Sequence, residues 1–425
     1  MQVEWIEMKQ QIEGSQAVAQ TVAMCRPEVA ACYPISPQTH IVETLSRLVK
    51  AGEVGSCQFL NVESEFGALS VLIGASAAGA RTYTATTSQG LLFMAEAVYN
   101  AAGLGLPIVM TIANRAVGAP INIWNDHSDS MAMRDSGWMQ LFAEDNQEAV
   151  DLHIQAFRLA EELSCPVMVC MDGYILTHAV EAVDLPAQEQ IDSFLPPYEP
   201  VQVLDPSDLV SIGSMVGPDA FMEVRYLAHN KHLQALDTIP RIQKAFQQTF
   251  GRASGGLLDS YKTEDAETIV VALGSVNGTI KDAVDELRKE GLAVGAVKIV
   301  SYRPFPKYQL RQALGHAKRV IVVEKDLSVG KGGILSSEVK MAMRHLPVMV
   351  ETVIAGLGGR AIPMASLVRV VHEALSEEGL EEPHFLDLNW DVINNELVRQ
   401  QAKRRSGPTP ENVLREVGTS GVKDG

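Results

Sequence analysis

Three side chains stand where the chain could do chemistry. Glu65 follows an apolar approach (Phe59, Leu60, Val62) and opens the small-residue stretch NVESEFGALSVLIGASAAGARTYTATTSQG of residues 61–90. A carboxylate in such surroundings is desolvated, which raises its pKa and suits it to holding or moving a proton. The same placement also serves a plainer purpose, an acid at a helix N-terminus that favours the helix dipole. Glu63 is a rival that local spacing does not exclude. Ser36 lies on a turn made rigid by Pro34 and Pro37, where a small hydroxyl is open to a ligand or caps the next helix. Arg115 follows the apolar run of residues 107–113 and offers a planar fork to a carboxylate, or a surface ion pair.

The elements that must position these groups alternate. Apolar strands are predicted at 29–33, 82–88, 107–113 and 166–171, with amphipathic helices at 8–24, 38–49 and 146–163 between them and a turn at 100–106. That alternation predicts a doubly wound α/β domain, whose ligands bind beyond the carboxyl ends of parallel strands. The loop 118–137 holds Trp124, Asp126, His127, Asp129, Arg134 and Asp135. Loops of this length tend to be functional, so Asp126 and His127 are candidates for an active-site loop. A metal is disfavoured because no second ligand cluster or His pair accompanies them. Residues 185–203 read as a strap, and 226–250 as a helix. The first domain is placed at 1–250, a linker at 251–265 and a second, smaller α/β domain at 266–375. A polar tail follows at 376–425, with Phe385, Leu386, Leu388 and Trp390 as one apolar patch. That patch is expected to dock on a neighbouring subunit, and the last residues to be disordered. The glycines at 274–278 and 330–333 fit neither a dinucleotide fingerprint nor a P-loop and read as tight turns.

Composition narrows the classes. With 46% hydrophobic and 20% charged residues over 425 positions, the chain is an ordinary globular protein with room for two or three domains. A net charge of −17 argues against a nucleic-acid surface. No apolar run approaches the ~20 residues of a membrane span, and the N-terminus lacks a signal-peptide core, so a cytoplasmic location is expected. The five cysteines, Cys25, Cys32, Cys57, Cys165 and Cys170, fit buried thiols and form no cluster-ligating run.

An ordered set of motifs adds to this reading. YPISPQ at 33–38, VESE at 62–65, IGASAAGAR at 73–81, TTSQG at 86–90, ANRA at 113–116, APINIWNDH at 119–127, GW at 137–138 and GLGGR at 356–360 stand together. In that order they resemble the α subunit of the 2-oxoacid:ferredoxin oxidoreductases, with the pyruvate-type enzymes nearest, over most of the chain. The resemblance implies a thiamine-diphosphate pyrimidine-type domain followed by a transketolase C-terminal-like domain. Decarboxylating a 2-oxoacid leaves a carbanion that needs an electron sink, and thiamine diphosphate is suited to that role. By the resemblance Glu65 is the activating glutamate on the aminopyrimidine, while Arg115 and Ser36 orient the substrate carboxylate. Thr87 and Ser88 are secondary pocket-lining and cofactor-binding candidates, for which core hydrogen bonding is the alternative. The pyruvate-type members usually carry Thr where Ser36 stands, and the lost methyl enlarges the pocket slightly.

The wider family marks its diphosphate and Mg2+ site by G-D-G followed downstream by Asn-Asn, and this sequence has no G-D-G. The missing half is therefore expected on a β subunit, with γ and δ (ferredoxin-like) subunits and 4Fe-4S clusters on partner chains. Coenzyme A takes the acyl group, and ferredoxin or a similar acceptor takes the electrons. Pyruvate is the expected substrate; a bulkier branched, aryl or dicarboxylic 2-oxoacid is the nearest alternative. A non-catalytic assembly subunit and a nicotinamide dehydrogenase are the readings from other classes, the latter disfavoured by the absent dinucleotide fingerprint.

Overall fold

The computed structural model describes residues 9–208, 211–401 and 408–420. The chain opens with β1 (Gln10–Glu13), α1 (Gly14–Met24), β2 (Val29–Cys32), α2 (Thr39–Lys50), β3 (Gln58–Asn61), α3 (Glu65–Ala77), β4 (Thr82–Thr86), α4 (Ser88–Phe93) and α5 (Ala95–Gly103). It continues through β5 (Ile108–Asn114), α6 (Ser128–Ala132), β6 (Met139–Phe142), α7 (Asn146–Leu163), β7 (Val167–Asp172), β8 (Val180–Val183), α8 (Gln188–Phe194) and the long α9 (Pro218–Phe250). There follow β9 (Leu258–Tyr261), β10 (Thr268–Ala272), α10 (Val276–Lys289), β11 (Val294–Ile299), β12 (Ser301–Arg303), α11 (Lys307–Leu314), β13 (Arg319–Glu324), α12 (Leu335–Ala342), β14 (Met349–Ile354) and α13 (Met364–Leu375). The described chain ends with β15 (His384–Phe385), α14 (Trp390–Gln400) and α15 (Thr409–Ser420).

Two sheets organise these elements. The larger has the order β12-β6-β7-β5-β4-β2-β3, parallel throughout except for β12, which runs antiparallel to β6. Every residue of β4, β5, β6 and β7 is buried, as in a parallel sheet covered on both faces. The smaller has the order β15-β14-β13-β10-β11-β9, with only β9 antiparallel. The fold is α/β with parallel sheets, as the alternation predicted. Because β3, β2, β4 and β5 are neighbours pointing the same way, the segments that follow them leave from one rim. Glu65, Ser36, Thr87, Ser88 and Arg115 sit on those segments.

Helix α7 shows how local sequence sets the boundaries. Asp145 caps it by accepting from the Glu148 amide at 2.7 Å, and Ser164 ends it in the left-handed conformation at φ 45°. Its limits coincide with the predicted 146–163. Elsewhere the structure departs from the pattern. Residues 95–103, part of which was expected as a turn, form the helix α5, since an Ala-rich run with one buried face favours helix. The strand predicted to 88 stops at Thr86, and the segment beyond Thr87 turns into α4. A short strand, β1, precedes α1 and pairs with β8. The expected linker contains β9, which pairs with β11. The strap of residues 185–203 carries α8 and is pinned by Arg81, buried, which donates to the Pro196 carbonyl at 2.8 Å and to Glu161 at 2.5 Å.

The tail is corrected in part. β15 adds to the second sheet beside β14, and Leu386 is buried against that unit's core. This much of the apolar patch is covered by the chain itself, while Trp390 remains exposed. The last residues, 421–425, lie outside the described residues.

Candidate functional site

Glu65 is the first residue of α3. The preceding Ser64 caps the helix, its hydroxyl accepting from the Gly67 amide at 3.0 Å, so the glutamate is not needed as a cap. Its side chain is buried, with 7% exposure, and its carboxylate makes no hydrogen bond among the described residues. A methyl group added at Gly90 would lie 2.7 Å from Glu65 Oε1 and 2.7 Å from Thr86 Oγ1. Glycine at position 90 therefore lets a carboxylate and a hydroxyl pack against its backbone, where any side chain would collide with both. The Thr86 hydroxyl is itself buried without a partner. Buried polar groups are nearly always hydrogen-bonded, so the unpartnered Thr86 hydroxyl beside a carboxylate that has no partner among the described residues points to a ligand. Glu63 differs: it is exposed, and its carboxylate folds back over Gly67.

Arg115, at the end of β5, is held on two sides. Its Nη1 donates to the Ser36 carbonyl at 2.8 Å and its Nε to the Asn122 carbonyl at 3.0 Å. Nη2 has no hydrogen bond among the described residues, so one corner of a fixed guanidinium is available. Burial draws its pKa down, against the nearby Tyr174 and Asp129. Ser36 is exposed, and its hydroxyl makes no hydrogen bond among the described residues. The cap position of α2 belongs to Gln38, not Ser36. Gln38 is buried and ties the proline turn to the sheet, donating to the Ala85 carbonyl at 2.5 Å and the Tyr33 carbonyl at 3.2 Å. The structure thus brings Ser36 and Arg115 together through a backbone contact.

Thr87 and Ser88 are both fully buried. The Thr87 hydroxyl donates to the Ala113 carbonyl at 2.5 Å, and the Ser88 hydroxyl to the Ala116 carbonyl at 2.6 Å. Their side chains are spent on joining the ends of β4 and β5. Beneath them lies Asp129, which the sequence reading passed over except as a loop acid. Its Oδ2 accepts from the Ser88 and Arg115 amides at 2.9 and 3.0 Å, and its Oδ1 from Asn114 Nδ2 at 2.8 Å and from the Ser130 amide at 2.7 Å. Burial pushes its carboxyl up to about 6 even against those donors.

Asp126 and His127 face the second unit. Asp126 accepts from the Gly358 amide at 3.1 Å and from Ser128. His127 Nε2 lies 2.8 Å from Asp172 Oδ1, and its amide donates to the Lys325 carbonyl at 2.8 Å. Among the described residues there is no group of three or more His, Cys, Asp and Glu side chains fit to hold a metal. All five cysteines are buried free thiols, with Cys25 pushed up to about 12 and Cys32 and Cys57 to about 11 by burial. The cavities of about 370 and 390 Å3 are lined by other residues, away from this rim.

Comparison with known families resolves the kinship. Residues 20–244, more than half of the chain, match the thiamine-diphosphate-binding domain of the pyruvate flavodoxin/ferredoxin oxidoreductase family. The chain belongs to this family. Residues 266–367 match core domain II of pyruvate:ferredoxin oxidoreductase. The chain is 48% identical over 390 residues to the pyruvate synthase subunit PorA of Methanosarcina barkeri, covering 90% of this chain and 97% of that one. It is 40% identical over 361 residues to the ketoisovalerate oxidoreductase subunit VorA of Pyrococcus horikoshii, covering 84% of this chain and 91% of that one. Among solved structures, a 2-oxoglutarate:ferredoxin oxidoreductase from Magnetococcus marinus superposes with a TM-score of 0.64 at 19% identity, covering 87% of this chain and 66% of that one. A split-gene transketolase superposes with a TM-score of 0.51 at 16% identity, covering 86% of this chain and 99% of that one. Those two likenesses speak to the fold.

Proposed function

We propose that this chain is the α-type subunit of a 2-oxoacid oxidoreductase that acts as part of a complex, with pyruvate as its principal substrate. The proposed reaction takes a 2-oxoacid and coenzyme A to acyl-CoA and CO2, with electrons leaving for ferredoxin or a similar acceptor. The observation that carries this reading is the unpartnered pair, Glu65 and Thr86, facing each other across Gly90 at the carboxyl rim of a parallel sheet.

The residues present fit the pyrimidine half of thiamine diphosphate. The ring's aminopyrimidine needs a carboxylate free to share a proton, which Glu65 provides, held against the backbone of Gly90 where any side chain would displace it. When bound, the cofactor supplies the electron sink that decarboxylation requires. Glu65 would hold the proton of the aminopyrimidine, its buried position keeping water from competing for it. Thr86 would give the ring a second polar contact. Arg115 would take the substrate carboxylate on its free corner, with the Ser36 hydroxyl alongside. Asp129 acts one layer back: it fixes the amides of Ser88 and Arg115, and with them the position of the fork.

The diphosphate and Mg2+ are assigned to a β subunit, since the sequence lacks G-D-G. The 4Fe-4S clusters are likewise assigned to partner chains, with γ and δ subunits the expected carriers. Asp126 and His127 keep a part in this proposal as the loop base that joins the rim to the second unit. No helix among the described residues is long and apolar enough to cross a membrane.

The test uses the complex purified through this chain. CoA-dependent reduction of a viologen dye is followed with pyruvate, 2-oxoisovalerate, 2-oxoglutarate and phenylglyoxylate in parallel. Preference for pyruvate is expected. Preference for a bulkier acid would favour the second reading, for which the exposed Ser36 hydroxyl and its missing methyl are the observation. No turnover with any acid, with thiamine diphosphate added and clusters intact, would leave only an assembly role.

A further inference from the structure

The edge of the first sheet opposite to the rim holds a cavity of about 370 Å3. Its walls are the last turn of α5 at Ala102, the turn of residues 134–137 before β6, Ser164 and Cys165 before β7, residues 303–305 at the end of β12, and α9. Strands β5 and β7 start at this edge and finish at the rim. Seven and six residues long, they separate the two places by about 20 Å at roughly 3.3 Å per residue.

The lining is cationic in a chain whose net charge is −17. Arg303 is already matched, donating to both oxygens of Glu338 at 2.8 and 2.6 Å. Arg134, Arg225 and Lys231 then face a single lining acid, the largely exposed Asp135, which lies 3.7 Å from Arg134. Lys231 uses one N–H on the Ser164 carbonyl at 3.1 Å, and Arg134 one on the Met131 carbonyl at 2.7 Å. Arg225 has no hydrogen bond or ion pair among the described residues. Three cations with spare donors around one concave site concentrate anions there, and guanidinium forks with an ammonium match phosphate oxygens. Leu236 and Phe305 add an apolar surface to the same cavity, whose size is within the range of small-molecule sites.

We propose that this cavity binds a phosphorylated small molecule of the nucleotide class, at a site separate from the reacting rim. The phosphates lie among Arg134, Arg225 and Lys231, and the ring lies against Leu236 and Phe305. Such a ligand joins α9, which contributes Arg225 and Lys231, to the sheet edge that contributes Arg134. It acts on the docking of α9 and not on the chemistry.

The test is calorimetric titration of the purified complex with ADP and, separately, with inorganic pyrophosphate, in wild type and in the Arg225→Glu/Lys231→Glu variant. The expected result is saturable binding of both probes and an affinity for one site per chain lowered at least about ten-fold in the variant. CoA-dependent viologen reduction should be unchanged, because neither residue belongs to the rim. Superimposable isotherms for wild type and variant would overturn the proposal, as would absence of binding at millimolar probe. Binding of pyrophosphate without ADP would overturn the nucleotide assignment. If the double variant fails to assemble, Arg225→Glu alone, at an exposed side chain, must still weaken binding for the proposal to stand.

Discussion

The rim and the seam between the two α/β units are both rich in buried polar groups, yet they are satisfied in opposite ways. At the seam the central charges are paired, although the buried Asp326 beside them leaves Oδ2 without a hydrogen-bond partner among the described residues. Asp172, 1% exposed, takes Lys325 Nζ at 2.6 Å, His127 Nε2 at 2.8 Å and the Ser275 amide at 3.1 Å. Burial works against its charge, but Lys325 and His127 hold its carboxyl well below the usual range. Nearby, Lys298 reaches Glu144 at 2.9 Å and Glu148 at 3.0 Å. At the rim, Glu65 and the Thr86 hydroxyl have no partner and Arg115 keeps a corner free. A closed network holds parts together, whereas an open one costs stability and is kept where a ligand completes it.

The largest effect that could break this contrast is at Glu65. Glu65→Gln keeps the shape and removes the shared proton, so viologen reduction by the complex should fall about 10²–10⁴-fold while its thermal unfolding is nearly unchanged. Unchanged turnover would place Glu65 with the structural acids and return the chain to an assembly role. Lys325→Met is the converse. It leaves buried Asp172 with His127 and Ser275 but without its ammonium partner, and removing one partner of a buried pair costs about 3–5 kcal/mol. Unfolding should shift strongly, and activity should recover at temperatures where the complex stays assembled. A loss of turnover at full stability would mean that the seam takes part in the reaction.

Asp129 lies between the two cases, satisfied itself but placed under the rim. With its carboxyl raised from 3.8 to about 6 in the folded chain, the folded state binds its proton more tightly than the unfolded one. Its contribution to stability is therefore fully present below about pH 4 and is lost as pH rises through 6. Two pKa units correspond to about 3 kcal/mol as an upper bound. Asp129→Asn replaces an acceptor of four donors by an amide with one acceptor atom. Its destabilisation, from unfolding of the complex between pH 4 and 7, should be larger at pH 4 than at pH 7. A flat pH dependence of that difference would remove Asp129 as a titrating group. A smaller test uses two adjacent threonines. Thr87→Val should cost about 1–3 kcal/mol, since the Ala113 carbonyl loses its side-chain donor. Thr86→Val should cost nothing or stabilise slightly, while lowering the affinity of the complex for thiamine diphosphate. Equal destabilisation by both would mean that the Thr86 hydroxyl is not waiting for a ligand.

Much of this was legible in the chain because it rests on local rules. The alternation of apolar strands and amphipathic helices gave the α/β class, and Asp145 and Ser164 mark α7 in the sequence as plainly as in the fold. What escaped were properties of pairs. Thr86 and Thr87 are neighbours of one type, and which hydroxyl is satisfied depends on the pleat of β4 against β5, 26 residues away from Thr87. Asp129 looked like one acid among several in a polar loop, because its four donors come from three separate segments. β12 joins the first sheet from within the second unit's sequence, a pairing that no local period announces.

Ser36 gives the finest test of the rim. Its backbone carbonyl holds Arg115, while its exposed hydroxyl is unengaged among the described residues, so the anchoring of the fork is independent of the side chain. Ser36→Thr restores a methyl without disturbing that contact. One methyl in a packed pocket changes discrimination by about 1–3 kcal/mol, and a side chain open on one side should give the lower part of that range. The ratio of kcat/KM for pyruvate over 2-oxoisovalerate should therefore rise by about ten-fold or less, with kcat for pyruvate nearly constant. A fall in kcat for both acids would show that the methyl displaces Arg115 instead of trimming the pocket. An unchanged ratio would mean that position 36 does not line the part of the site that reads the side chain of the acid, and that the partner subunit sets the choice of substrate.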